Sequence, residues 1–322
     1  MSPIEVLAMP EVRPLLLEPL CAAYAVHRAD TEAWRQAAPR LRAIAATGES
    51  RVSAELMRQL PALEAIAVMG VGYDGIDVAA ARERGIAVTH TPGVLNDYVA
   101  DLALGLMLAW AHQVPRADRF VRAGHWAAGP LPLGRKVSGA RLGLVGMGQI
   151  GQAIAHRAAA FGMQIAYTAR SARPGLPYRY LPSAALLAAQ SDYLVAITPG
   201  GAGTRGLIDA QVLAALGPQG CLVNVARGSV VDEAALIQAL QTGTIAGAAL
   251  DVFENEPQVP AALRAMDNVV LTPHIGSACL EVRQAMADLT LANLAAHFAG
   301  RPLPTPVPEC RPSLSAPQEP RP

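Results

Sequence analysis

Residues 142–151 read Leu-Gly-Leu-Val-Gly-Met-Gly-Gln-Ile-Gly, a glycine turn set where an apolar run gives way to helical spacing. In such a G-x-G-x-x-G turn, Gly146 allows the tight bend and Gly148 lets backbone approach a pyrophosphate. Gly151 lets the following helix lie close on the strand. The pyrophosphate then rests on the N-terminus of a helix opening at Gln149 and Ile150, where N–H groups and the helix dipole favour negative charge. The context fits. Arg141–Val145 reads as a short strand, Ile150, Ile154, Ala158 and Phe161 recur at helical spacing, and Met163–Tyr167 reads as the next strand. The turn is therefore expected to open a βαβ unit that binds a dinucleotide.

No acidic residue occurs between Asp118 and Asp192. A site for NAD(H) normally places a carboxylate about 20 residues beyond the turn to accept hydrogen bonds from the ribose. Here that strand runs into Thr168-Ala-Arg-Ser-Ala-Arg173. Without the carboxylate a 2′-phosphate meets no repulsion; Arg170 and Arg173 supply charge and Ser171 a hydroxyl. NADP(H) is the better fit, with NAD(H) open as a second cofactor. A solvated basic loop is the plainer alternative.

At 322 residues the chain can form two domains, each with its own core. A net charge of zero argues against nucleic-acid or anionic-membrane partners. Cys21, Cys221, Cys279 and Cys310 are scattered, with no ligand spacing, so neither a metal nor a disulfide framework is expected. No basic-then-apolar leader opens the chain, and the longest apolar run, Leu102–Ala111, is about half a membrane span. A cytoplasmic protein is expected.

Ile4–Met9, Ala43–Ala46, Ala65–Met69 and Ala87–His90 read as buried strands, with helices at Leu15–Tyr24, Ser53–Leu60 and Val78–Gly85 between them. That alternation predicts a parallel sheet. A long helical pattern runs from Asn96 to about Ala123. Beyond the glycine turn, strands are expected at Tyr193–Ile197, Cys221–Val225, Ala246–Leu250 and Val269–Leu271, then a helix from Glu281 to about Gly300. The proline-rich tail from Pro302 reads as disordered.

Three segments lie at strand ends, where open α/β sheets carry their active sites: Asn224–Asp232, Ala249–Pro257 and Thr272–Ser277. An Arg, a Glu and a His placed there suit reduction of a 2-oxo acid. The Arg forks onto carboxylate and carbonyl, the His gives a proton to the carbonyl oxygen, and the Glu holds the imidazole as a donor. Taken singly, such an Arg is usually a surface ion pair and such a His structural.

In order and spacing these segments, with Met69–Asp77 and Asn96–Asp101, resemble the D-isomer-specific 2-hydroxyacid dehydrogenases over roughly residues 40–305. Within that family Thr168–Ser171 and Lys136–Gly139 are most similar to NADP-preferring glyoxylate/hydroxypyruvate reductases. The resemblance implies an α/β fold of two Rossmann-like or flavodoxin-like domains with parallel sheets and an active site in the interdomain cleft. Residues 1–96 with 280–305 would form the outer substrate domain, 97–279 the NAD(P)-binding domain, and 306–322 a disordered tail. It implies that Arg227 binds the substrate, that His274 is the acid/base, and that Glu256 raises its pKa. Backbone N–H groups of Val71 and Gly72 would hold the substrate carboxylate. Asp251 would lie near the nicotinamide carboxamide, and Pro199, Thr204, Val225 and Gly276 would complete the cofactor contacts. The activity implied is NADPH-dependent reduction of a small 2-oxo acid of the glyoxylate/hydroxypyruvate class to the D-2-hydroxy acid, by a homodimer. An aromatic or sugar 2-oxo acid reductase (hydroxyphenylpyruvate or 2-ketogluconate) is the alternative. So is a nucleotide-sensing interaction protein on the same fold.

Overall fold

Short Val-, Ile- and Ala-rich runs without polar alternation dominate both sheets, the pattern of parallel strands covered on both faces. The structure, a computed structural model, describes residues 3–310. The chain divides into two units, Met1–Val94 with Leu280–Pro322, and Leu95–Cys279.

The first unit holds strands β1 (Glu5–Ala8), β2 (Ala25–Arg28), β3 (Leu41–Thr47), β4 (Ala65–Met69) and β5 (Ala87–Thr89), in the order β2-β1-β3-β4-β5. All pairings are parallel. Val6, Leu7, Ile44, Ile66 and Val88 are fully buried along its centre. The helix Leu280–Phe298 belongs to this unit, adding Ala287 and Leu294 to the same core. β2 escapes sequence reading because Ala-Val-His-Arg is a short, half-buried edge strand without apolar periodicity.

The expected disorder does not begin at Pro302 or at 306. Asn293 and Thr305 exchange hydrogen bonds, Asn293 Nδ2 to Thr305 Oγ1 at 2.7 Å and Thr305 N to Asn293 Oδ1 at 3.0 Å. Pro306 bridges Thr89, and Val307 is buried and donates its N–H to the Val88 carbonyl at 2.9 Å. Specific polar anchors and one buried side chain hold a segment whose composition lacks periodicity. The rest of that stretch, 311–322, lies outside the described residues.

The second unit holds β6 (Arg141–Val145), β7 (Gln164–Thr168), β8 (Arg179–Tyr180), β9 (Tyr193–Ala196), β10 (Cys221–Asn224), β11 (Gly247–Leu250) and β12 (Val269–Leu271). Their order is β12-β11-β10-β9-β6-β7-β8, parallel throughout. From β6 the chain steps outward to β7 and β8, then crosses to β9 on the other side. Such a reversal opens a crevice at the strands' carboxyl ends, where open α/β sheets take ligands. The glycine turn follows β6 and so stands at that point.

The expected long helix is two, Asn96–Ala111 and Val114–Arg122. Pro115 lacks an N–H and its ring would meet the carbonyl of Ala111 in a continued helix. Gln113 takes φ +54° to turn the chain, and the Ala111 carbonyl accepts from Arg135 N at 2.8 Å instead.

Candidate active site

The glycine turn has the shape its sequence requires. Gly146 adopts φ +116°, and a Cβ there would lie 2.5 Å from the Ile197 carbonyl oxygen. A Cβ on Gly151 would lie 2.5 Å from the Gly146 carbonyl oxygen, so this contact also excludes any side chain. At Gly148 an added Cβ would meet nothing within 4 Å. The open space lies beside the start of the helix Gln149–Ala160, whose capping residue offers no side chain. A bare amide terminus next to open space suits a pyrophosphate, and these residues fit a dinucleotide. Arg170, Ser171 and Arg173 follow β7 and are exposed. Thr204 Oγ1 donates to the Pro199 carbonyl at 2.7 Å, closing the loop beyond β9. Val225 is buried just past β10 and donates its N–H to Ala196 at 3.3 Å.

Arg227, Asp251, Glu256, His274 and Gly276 all stand just beyond the carboxyl ends of β10, β11 and β12. Asn224 shapes the first segment, its Oδ1 accepting from Ala226 N at 3.1 Å and its Nδ2 donating to the Arg227 carbonyl at 3.1 Å. Next in sequence, Gly228 presses on the neighbouring segment. A Cβ there would fall 1.9 Å from the Phe253 carbonyl carbon. Arg227 Nη1 donates to the Ala226 carbonyl at 2.7 Å.

Asp251 is buried and organises the turn that carries His274. Its Oδ1 accepts from Thr272 Oγ1 at 2.6 Å and Ile275 N at 2.8 Å, and its Oδ2 from Gly276 N at 2.9 Å. Burial pushes this carboxyl above its usual value, against those hydrogen bonds. His274 takes φ +50° and donates its own N–H to the Asp251 carbonyl at 2.9 Å. A left-handed histidine is uncommon, and here three hydrogen bonds to one carboxylate fix the residues on either side of it.

His274 Nδ1 and Glu256 Oε2 are 2.6 Å apart, and the second carboxylate oxygen, Oε1, accepts from Phe253 N at 2.9 Å. The Glu256 contact raises the imidazole above its ordinary value, overcoming burial and the Arg227 charge, which oppose it. Burial works to raise the Glu256 carboxyl, but hydrogen bonds from His274 and Phe253 N, with the His274 and Arg227 charges, outweigh it and leave the group lowered. Three charged groups thus influence one another within a single end of the sheet. Glu254 lies apart from the pair, bonded to Arg205 at 3.2 Å.

Val71 and Gly72 belong to the first unit, just past β4. His90 Nδ1 donates to the Val71 carbonyl at 3.0 Å, and Tyr73 meets His90 edge-on with centroids 5.3 Å apart. Burial, with Glu309 beside the hydroxyl, pushes Tyr73 up to about 12. No pattern in the sequence singles out Asn224, Gly228, Thr272 or His90. The available signal is that the first three lie inside the three strand-end segments. Among the described residues no group of three or more His, Cys, Asp or Glu is disposed to hold a metal ion. No described helix is long and apolar enough to cross a membrane.

The family model described as D-isomer specific 2-hydroxyacid dehydrogenase, NAD binding domain, matches residues 104–276. The chain is 48% identical over 267 residues to a glyoxylate/hydroxypyruvate reductase A of Arabidopsis thaliana, covering 83% of this chain and 85% of that one. It is 43% identical over 304 residues to a 2-ketogluconate reductase of Gluconobacter oxydans, covering 94% and 98%. Among solved structures, the NADPH-dependent glyoxylate/hydroxypyruvate reductase of Sinorhizobium meliloti, in complex with NADP and malonate, superposes with a TM-score of 0.90. Its identity to this chain is 45%, covering 96% of this chain and 98% of that one.

Proposed function

Because this chain belongs to the D-isomer specific 2-hydroxyacid dehydrogenases, enzymes that act on CH–OH groups with a nicotinamide cofactor, we propose that it reduces glyoxylate, hydroxypyruvate or a similarly small 2-oxo acid to the D-2-hydroxy acid with NADPH. The observation that carries this reading is the 2.6 Å pair of His274 and Glu256, with the Arg227 charge acting on both, at the sheet end that also bears the glycine turn.

The nicotinamide, when bound, supplies the hydride that reaches C2. Arg227 presents two parallel N–H groups to the substrate carboxylate and carbonyl, orienting C2 and drawing electron density toward the oxygen. With Nδ1 committed to Glu256, the other ring nitrogen of His274 delivers the proton to that oxygen. Glu256 keeps the ring protonated until then and stabilises the imidazolium. The N–H groups of Val71 and Gly72 are assigned to the carboxylate in the same reading. Exposed Arg170, Ser171 and Arg173, with no carboxylate on that strand end, favour the 2′-phosphorylated cofactor.

A reductase of sugar 2-oxo acids is the second reading, favoured by the near full-length match to the Gluconobacter oxydans protein. The test is oxidation of NADPH and NADH with glyoxylate, hydroxypyruvate, phenylpyruvate and 2-ketogluconate. The highest kcat/KM is expected with NADPH and one of the first two. Preference for 2-ketogluconate would select the second reading, and silence with all four would overturn the enzyme assignment in favour of a nucleotide-binding interaction role.

A further inference from the structure

We propose that Tyr167 and Tyr180 set the preference for the 2′-phosphorylated dinucleotide by bracing, at both ends, the five residues Ala169–Arg173 that read the phosphate. The inference rests on the NADPH reading above and names what makes it selective. Tyr167 on β7 and Tyr180 on β8 are register partners in a parallel pair. Their rings lie side by side, centroids 5.5 Å apart and planes tilted by 58°. The Tyr167 side chain is almost wholly buried, yet its hydroxyl reaches the loop and accepts from Arg173 N at 2.7 Å. Tyr180 is half-buried and its hydroxyl donates to the Ala169 carbonyl at 3.3 Å.

These two bonds fix the first and last residues of a segment whose interior is exposed. Because the peptide is planar and trans, holding the Ala169 carbonyl also fixes the direction of the Arg170 N–H. The Arg173 N–H is occupied by Tyr167, so that residue meets an anion through its guanidinium. Long arginine side chains on a loose loop would lose conformational freedom on binding, whereas a braced backbone has already lost part of it. The gain goes to the ligand that touches the loop through a 2′-phosphate. NADH, lacking that group, gains little. Tyr167 and Tyr180 are thus positioning residues and need not touch the cofactor.

The test compares wild type, Tyr167→Phe and Tyr180→Phe by fluorescence titration with NADPH and with NADH. Each hydroxyl removal is expected to raise the Kd for NADPH by about 3- to 10-fold, the scale of one neutral hydrogen bond, while the Kd for NADH stays within about twofold of wild type. Equal weakening for both nucleotides would mean a general structural role and overturn the proposal. So would a wild type that prefers NADPH and variants that keep its ratio. A wild type that binds NADH as tightly as NADPH would overturn the reading of the loop itself, and the brace with it. If Tyr167→Phe fails to fold, the half-buried Tyr180→Phe decides by the same criteria.

Discussion

The close contact of His274 with Glu256 couples the protonation of this site to pH. His274 is raised above the ordinary 6.5 of an imidazole, so the stability gained from its protonation is complete below that value and is lost as pH rises through the raised folded pKa. Glu256 is lowered below its ordinary 4.5, so its contribution is present above that value and is lost as pH falls through the lowered one. Between the two folded values the pair is ionised, and in the proposed mechanism His274 then holds the proton that reduction needs. Reduction is therefore expected to be fast at neutral pH and to fall on the alkaline side with the His274 titration. Glu256→Gln removes the largest interaction that lifts the imidazole, leaving the Asp251 charge alone against burial and Arg227, and should move that alkaline limb to lower pH. A pH–rate profile with an unmoved limb would sink this account. His274→Ala, measured at the wild-type optimum, should cost about 10²–10⁴-fold in kcat. NADPH affinity should be nearly unchanged, because this side chain is assigned to the substrate.

Strand ends, more than strands, decide what this sheet can do. The Arg227 segment reaches its place only because Gly228 has no side chain, since a Cβ would overlap the Phe253–Glu254 backbone. Gly228→Ala should push the segments after β10 and β11 apart, taking Arg227 away from the His274–Glu256 pair. The expected result is a large fall in kcat/KM for the oxo acid with nucleotide binding mostly kept, measured by steady-state kinetics beside a nucleotide titration. Unchanged kinetics would mean the two segments can part without disturbing Arg227. The glycine turn, the buried strands and the strand-end Arg, Glu and His were legible in the sequence, because a packing constraint or a chemical need restricts those positions to few residue types. β2 and β8 were not, being short edge strands with partial burial. Nor was the helix break at His112–Gln113, where Pro115 alone signals that a continuous apolar pattern must bend. The left-handed backbone of His274 was invisible for another reason. It depends on hydrogen bonds that Ile275 N and Gly276 N donate to Asp251, more than twenty residues away in sequence.

Over the whole molecule the first unit is discontinuous, its second segment following the whole of the second unit in sequence. After tracing the second unit the chain returns through Leu280–Phe298, placing Ala287 and Leu294 among the side chains of β1, β3 and β4. It then runs along β5, where Val307 closes the same core. The sequence hinted at the return through helical periodicity after Glu281. It gave no sign of the Val307 contact, because a single buried valine among prolines leaves no periodic trace. Leu294 is 1% exposed and Val307 0%. Leu294→Ala should therefore cost about 2–5 kcal/mol, the range for removing a buried leucine side chain. Val307→Asp should also destabilise strongly, since it buries an unpaired carboxylate in an apolar core. Val307→Thr, of nearly the same shape, should cost less than the aspartate. Chemical denaturation should report these losses in the first unit. Nucleotide binding by folded protein should be spared, because every residue assigned to the cofactor lies within Leu95–Cys279. If Val307→Asp were as stable as wild type, the passage along β5 would be an ornament of the fold and the core would end at the helix.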